Sequence, residues 1–436
     1  MVPSMHRGWS SVRAVVRQRC LASLLAGALA ACKPPVPAAG LEPRTEKPAE
    51  KIAETTAAPP AGAAVSPALN DVRYGPWLLD VGTHGITVAW TSRDEHAGRV
   101  EHGEGALDHG TVEPKARKEH RVVLDGLLPG RQYRYRILGA QPHEGSFWTA
   151  PAEGDASSQP PFRVLIYGDN RTNATAHASV VKAARTEGAR LALHTGDMVV
   201  DANKEEAWAS WFDIEKELLA STAFAATVGN HEITDRGVQY TAHFQPPSLP
   251  PYRSFEYGPL HVVVLDSFEL VTAGPQPREG NISEAQRAWL EQDLKSVPEG
   301  KHVWVLIHQG PFSHPAAHGH GGSDRVRQVL LPFKDKIQAV FAGHDHYYER
   351  GKNSGLRYFV VGGGGAPLYE PNPSAPGVQV AIKSLSYAVL EVCGCHVDGV
   401  VKDPSGKVLD RFQLSTCQEV CPAQPPQAAA TEAGQR

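Results

Sequence analysis

The sequence predicts an all-β sandwich followed by an α/β domain, and three observations lead there. Between residues 70 and 152, short runs alternate apolar with polar residues and break at Gly, Pro and Asp, the period of half-buried strands. After Pro161 the runs become almost continuously apolar, end in polar residues and are mostly followed by a helical pattern, as in a sheet covered on its faces. Ahead of residue 70 neither pattern is present.

Residues 1–32 read as an address. Arg7, Arg13, Arg17 and Arg19 form a basic region, LASLLAGALA is a short apolar core, and Leu29-Ala30-Ala31 precede Cys32, which suits a secretory signal better than a spanning helix. The spelling LAAC resembles a bacterial lipobox. That resemblance implies that Cys32 becomes a lipidated first residue and that the protein is anchored in the bacterial cell envelope. Lys33 stands where an Asp would resemble an inner-membrane retention signal, which favours the outer membrane. Residues 33–69, rich in Pro, Ala, Glu and Thr, cannot bury enough apolar area to fold and are expected to form a disordered tether. The net charge of -4 and the lack of a Lys/Arg-rich block weigh against nucleic acid as a stable partner.

In the region 70–152, ITVAWTS (86–92), HRVVLDGL (120–127) and YRYRIL (133–138) read as strands at a spacing that suits a small sandwich. The stretch LLPGRQYRYRI resembles the Leu-x-Pro-Gly-x-x-Tyr corner of fibronectin type III-like domains, which makes Trp90 and Tyr133 core residues. FWTAP (147–151) closes the region.

The α/β region spans 160–416, with 417–436 as a tail. Its strands read FRVLIYGDN, RLALHTGD, AFAATVGNHE, HVVVLDS, HVWVLIHQG, IQAVFAGHDH and RYFVVGGGG. Functional groups of such sheets gather at the carboxyl ends of the strands. Those ends carry Asp169, Asp197, Asn230 with His231, His308, and His344 with His346. Carboxylate, amide oxygen and imidazole are ligands of borderline and hard divalent metals. A lone Asp or His at a strand end is readily structural, but six candidate ligands, His231 set aside, at the strand ends of one sheet point to a metal centre.

The set GD, GD, GNHE, H and GHDH resembles the calcineurin-like metallophosphoesterases, and GHDHYYER after a β-rich region is most similar to their purple acid phosphatase branch. The segment EAQRAWLEQDLKSV (284–297) is similar to that branch's helix before the fifth strand. The resemblance implies an α/β/β/α sandwich and a phosphatase using two divalent or mixed-valence ions (Fe, Mn or Zn) that share a hydroxide, acting on a small phosphorylated substrate. Carried over by position, it gives one ion Asp169, Asp197 and His346, and the other Asp197, Asn230, His308 and His344. His231 would stabilise the transition state or protonate the leaving alkoxide.

Two positions depart from the pattern. The superfamily's first motif is Asp-x-His, where this chain has Arg171; the purple branch places Tyr three residues after the bridging Asp, where this chain has Val200. A colourless centre with a weakly held first ion is therefore expected. His177 is a candidate replacement ligand, although its place on the next helix suits a surface residue. Arg171 is placed either to grip a phosphate oxygen or to form a surface ion pair. Asp201 either orients His231 or begins the next loop.

His314, His318 and His320 belong to an expected flexible loop at the substrate mouth, which the neighbouring Gly and Pro favour over a separate histidine metal tract, His194 to the core or the surroundings of the site, and GGGGAP to close backbone packing beside it. Tyr347 and Tyr348 read as packing or rim. Ser283 with Gln286 reads as a capping box opening a helix, which accounts for the sequon-like Asn281-Ile282-Ser283. Cys20 falls in the signal. Cys393, Cys395, Cys417 and Cys421 suit two disulfides in an exported chain better than a zinc site. Two rivals to the phosphatase remain: a phosphodiesterase or nucleotide-cleaving variant, and a surface binding lipoprotein whose catalytic centre has decayed.

Overall fold

Five strands come first: β1 (Val72–Leu79), β2 (Ile86–Gly103), β3 (His109–Leu124), β4 (Gln132–Ile137) and β5 (His143–Trp148). Next, β6 (Phe162–Tyr167), β7 (Leu191–His194) and β8 (Ala223–Ala226) alternate with α1 (Ala174–Arg185) and α2 (Glu205–Leu219). After α3 (Val238–Phe244) come the hairpin β9 (Arg253–Tyr257) and β10 (Leu260–Val264), then α4 (Glu284–Ser296), β11 (His302–Leu306), α5 (Asp324–Leu330) and β12 (Ile337–Ala342). Six strands close the order: β13 (Tyr348–Asn353), β14 (Leu356–Val361), β15 (Val378–Ile382), β16 (Tyr387–Cys393), β17 (His396–Lys402) and β18 (Val408–Ser415). The structure is a computed structural model and describes residues 72–139, 142–152, 160–245, 249–270 and 279–415. The expected signal, Cys32, the tether, Cys417 and Cys421 lie outside them. Among the described residues no helix is long and apolar enough to cross a membrane.

The strands form two mixed sheets. One runs β18-β17-β16-β6-β7-β8-β1-β2-β4-β5, with β3 on β2; the other runs β15-β13-β14-β12-β11-β10-β9. In the first, β6, β7 and β8 are parallel neighbours, and in the second so are β10, β11, β12 and β14. Side chains of a strand alternate between faces. Accordingly Val262, Val264, Trp304, Leu306, Ala339 and Phe341 join the core shared with β6–β8, while Val263, Val303, Val305 and Val340 pack with Leu290 and Leu294 of α4 and Val326 and Leu330 of α5.

The expected boundary near residues 152–160 divides two sequence patterns but not two hydrogen-bonded units. β1 pairs in parallel with β8 through Leu78 and Ala223, so the first five strands extend the sheet that carries the α/β region. Trp77 seals that junction: it is 2% exposed, its ring lies 4.8 Å from that of Phe212 on α2, and its indole N–H donates to the His243 carbonyl of α3 at 3.0 Å. Trp90 and Tyr133 are buried as expected, and the Tyr133 hydroxyl accepts the Leu128 N–H at 2.9 Å, closing the Pro-Gly corner on itself.

Local chemistry starts the helices. Asn173, Ser283 and Ser323 accept the N–H of Ala176, Gln286 and Val326 as N-caps of α1, α4 and α5. The expected capping box at α4 is only half made, because the Gln286 amide turns to the backbone of Asp266, donating to its carbonyl and accepting its N–H. Tyr347 and Tyr348 are fully buried packing residues. Cys393 and Cys395, at the β16–β17 turn, are both disulfide-bonded.

Candidate metal centre

The loops after β6, β7 and β8 of one sheet and after β11 and β12 of the other converge, so the site joins the carboxyl ends of two packed sheets and not of the one sheet expected. Asp169, Asp197 and His344 have φ of 57°, 58° and 72°, the left-handed region that residues with a Cβ rarely occupy. Interlocking loops hold them there. The Asp169 N–H donates to the Gly196 carbonyl at 2.9 Å, the Asp197 N–H to the Glu232 carboxylate at 2.8 Å, and the His344 N–H to Asp169 Oδ1 at 3.0 Å. A Cβ on Gly343 would collide with the Asp169 carboxylate and the Thr195 hydroxyl, so these loops could not approach with a larger residue there.

Four donor atoms meet on one side. Asn230 Oδ1 lies 3.0 Å from His344 Nδ1 and 3.2 Å from His308 Nε2; the two histidine nitrogens are 3.1 Å apart, and His308 Nε2 is 3.4 Å from Asp197 Oδ1. Donors on a tetrahedral ion with bonds of about 2.0–2.1 Å sit about 3.3 Å apart, so the spacing suits one ion. Protonation agrees with geometry. His308 Nδ1 donates to the Thr195 carbonyl at 2.6 Å, which leaves a lone pair on Nε2 facing an amide oxygen and a carboxylate. Burial lowers His308, His344 and His346 below the ordinary histidine value, His346 to about 4. Neutral imidazoles, an amide oxygen and a carboxylate aimed at one point call for a cation at their centre.

On the other side lie Asp169, Asp197 and His346, with Arg171 among them. Arg171 Nε donates to Asp197 Oδ2 at 3.0 Å, Nη2 lies 3.2 Å from His346 Nε2, and Nη1 donates to Thr172 Oγ1 at 3.3 Å. Its side chain is only 14% exposed, so it is part of the site and not a surface ion pair. Burial and the neighbouring Asp197 raise Asp169 well above the usual carboxylate range, and Arg171 opposes the rise. Burial would raise Asp197 too, but His308, His231, Arg171 and His344 around it carry it below its ordinary value. A second ion does not fit these donors as they stand, because a guanidinium already faces two of them.

His231 stands beside the group. Its Nδ1 donates to the Val200 carbonyl at 2.6 Å, leaving Nε2 pointing inward, 3.9 Å from Asp197 Oδ2. Asp201 does not orient it: that carboxylate takes the Thr234 hydroxyl and the backbone and side-chain N–H of Asn203, and so shapes its own loop. Val200 contributes only its carbonyl, and its side chain is exposed. His177 does lie on α1, yet it is buried and bonded to Glu215 of α2 at 2.8 Å, away from the ligands and not on the surface. His194 is buried beneath the first loop, bonded to Asn170 Oδ1 and accepting the Gly196 N–H. The GGGG run packs as expected, Gly364 against Gly168 and Gly362 against Asp345.

Several contributors escaped the sequence reading. Glu232, in GNHE, accepts the N–H of Asp197, Met198, Val199 and Gly229, tying the second and third loops together. Burial and Asp197 push its carboxyl up to about 8, but all four contacts are donors, an arrangement that suits the carboxylate. Asp345, between the two histidines, takes Ser313 Oγ and the N–H of His320 and Gly321, so the expected flexible loop is tied down; His318 alone of its histidines is left fully outside such contacts. His314 bonds Glu349 instead. The His320 ring lies tilted against that of His344, their centroids 3.9 Å apart, and Glu279 Oε1 lies 2.8 Å from His344 Nε2, the nitrogen turned away from the four donors. Tyr369 stacks on His346 at 4.2 Å. The motif letters around Glu232 and Asp345 signalled those two; nothing in sequence marks Glu279 or Tyr369.

Residues 162–348 match the profile of the calcineurin-like phosphoesterases. Purple acid phosphatase 21 of Arabidopsis thaliana is 28% identical over 274 residues, covering 57% of this chain and 58% of the relative. Phosphoenolpyruvate phosphatase of Allium cepa is 27% identical over 339 residues, 72% of this chain and 63% of the relative. The chain thus spans under two thirds of the length of these relatives. Among solved structures, purple acid phosphatase PPD1 from yellow lupin (Lupinus luteus) seeds shares the fold with a TM-score of 0.64 at 19% identity, over 81% of this chain and 77% of that one. PhoD does so at 0.63 and 14% identity, over 81% and 94%.

Proposed function

We propose that this chain, which carries a calcineurin-like metallophosphoesterase domain, hydrolyses phosphate esters at a centre held by Asp197, Asn230, His308 and His344. The carrying observation is that set of four donors, whose lone pairs face one another at 3.0–3.4 Å. A bound ion there would supply a water deprotonated near neutral pH and positive charge for the phosphoryl oxygens. The chain's own groups do the rest. His231, with Nδ1 fixed on Val200, keeps Nε2 for a proton that the leaving alkoxide needs. Arg171, which has more N–H donors than its protein partners take up, can hold a phosphoryl oxygen. The likeness to purple acid phosphatases supports small phosphate monoesters as substrates; the second ion and shared hydroxide it would also imply meet Arg171, which faces Asp197 and His346 on that side. The Tyr133 corner supports a fibronectin type III-like origin for the first strands.

The lipobox-like LAAC supports anchoring through Cys32 at the cell envelope. Cys32→Ser should move the protein from the membrane to the soluble fraction, and continued sedimentation with membranes would refute that anchor. For the activity, p-nitrophenyl phosphate is compared with its bis-ester using wild type, Asp197→Asn and His344→Ala. Monoester hydrolysis should be lost in both variants together with bound metal. Full activity in either would remove the assignment, and preference for the bis-ester would make the enzyme a diesterase.

A further inference from the structure

Two buried carboxylates, Asp169 and Asp197, sit at the heart of the site, and the side of it defined by Asp169 and His346 already has a cation. Arg171 Nε faces Asp197 Oδ2 at 3.0 Å and Nη2 faces His346 Nε2 at 3.2 Å. The second contact is informative, because His346 Nδ1 lies 2.8 Å from the Pro367 carbonyl and must donate to it. His346 Nε2 therefore carries a lone pair, the group that would otherwise bind an ion, and that lone pair is spent on a guanidinium N–H. The arginine is held in place. Its loop turns through Thr172 at φ 80°, the N–H groups of Asn170 and Arg171 both bond the Asp197 carbonyl, and Nη1 bonds Thr172 Oγ1. Tyr369 backs the His346 ring at 4.2 Å and fixes its plane. Val200, apolar and exposed, adds no donor.

We infer that Arg171 is a built-in replacement for the first ion, so that the chain works with one metal, held by Asp197, Asn230, His308 and His344, and a guanidinium where the second would sit. The inference rests on the hydrolase reading and narrows it. Charge favours the arrangement: one divalent ion and one guanidinium already outweigh the two carboxylates, and a further divalent ion in contact with Arg171 would be repelled by it. The guanidinium also brings directional N–H donors to a phosphoryl oxygen, which a bare ion does not. Asp197 then joins ion and arginine through its two oxygens, with Oδ1 toward His308 and Oδ2 toward Arg171.

The test counts metal on the full chain. Protein equilibrated with excess Zn²⁺ or Mn²⁺ and gel-filtered should hold one equivalent by elemental analysis, and the Mn²⁺ form should give the spin-resonance signal of an isolated ion. Arg171→Ala, checked for a wild-type circular dichroism spectrum, should take up a second equivalent and show exchange coupling between two Mn²⁺ ions. Independently of that variant, His346→Ala should keep its single ion with affinity within about threefold of wild type, while His344→Ala loses it by more than about tenfold. Two equivalents in wild type, a second ion lost in His346→Ala, or an Arg171→Ala protein that still binds only one would each overturn the replacement. A wild type that binds two ions and hydrolyses phosphate esters refutes it and leaves the hydrolase reading standing; one that binds none refutes both.

Discussion

At the scale of single residues, the sheet explains why most of the site can be read from letters. A ligand that follows a strand closely is placed by the strand itself, so Asp169, Asp197, Asn230, His308, His344 and His346, each two to four residues past a strand end, are found by locating apolar runs and looking just beyond. Residues reached through loops, such as Glu279 and Tyr369, have no such ruler. His177 was legible in principle: with Val180, Val181 and Ala184 it follows the helical period of the buried face of α1, and Glu215 lies on the buried face of α2 with Trp211, Phe212, Leu218 and Leu219. Two polar residues at core positions of neighbouring helices are expected to pair, and they do. His231 differs from the ligands by standing next to them. His231→Ala should lower turnover by about 10²–10⁴-fold while bound metal stays at the wild-type level, measured on the same preparation. Parallel loss of metal would make His231 a ligand.

At the scale of elements, buried charges act as fasteners between strands and helices. His261 on β10 bonds Glu256 of β9 at 2.6 Å and Asp293 of α4 at 3.0 Å. Burial works against its charge, but the two carboxylates win and raise it to about 9 from 6.5. The folded protein thus keeps this proton where the unfolded chain releases it. The contribution is complete below about pH 6.5 and is lost as pH rises through about 9. Compared by urea unfolding, wild type should exceed His261→Gln by on the order of 2 kcal/mol at pH 6, with the gap closing by pH 10. The partly exposed Glu256 keeps the figure at this modest size. A gap that does not change with pH would mean that His261 is uncharged in the fold.

At the scale of the whole molecule, the change of pattern after Pro161 marks a real change of architecture, but it could not reveal that β1 continues the sheet of β8. A single parallel contact between distant segments leaves no periodic trace in either. Trp77, packed against Phe212 and bonded to the His243 carbonyl, makes the consequence measurable. Trp77→Ala should cost about 3–5 kcal/mol. Because the first strands share a core with α2 and α3, calorimetry should show one shifted transition for these regions; a separate early transition of the first strands would contradict the shared core.

The left-handed backbone at Asp169, Asp197 and His344 sets evolution a trade between durability and chemistry. Each of these positions would be relaxed by Gly, and each holds instead a side chain that the local conformation disfavours by about 1 kcal/mol. Sturdiness alone would not call for a β-carbon at these three positions, since Gly takes the same backbone without the penalty. That all three carry ligating side chains argues against a decayed centre, and it limits how far this molecule could be made sturdier here: Asp169→Gly relieves the left-handed backbone but leaves the buried His344 N–H without its acceptor, so it should turn nothing over and melt no later than wild type.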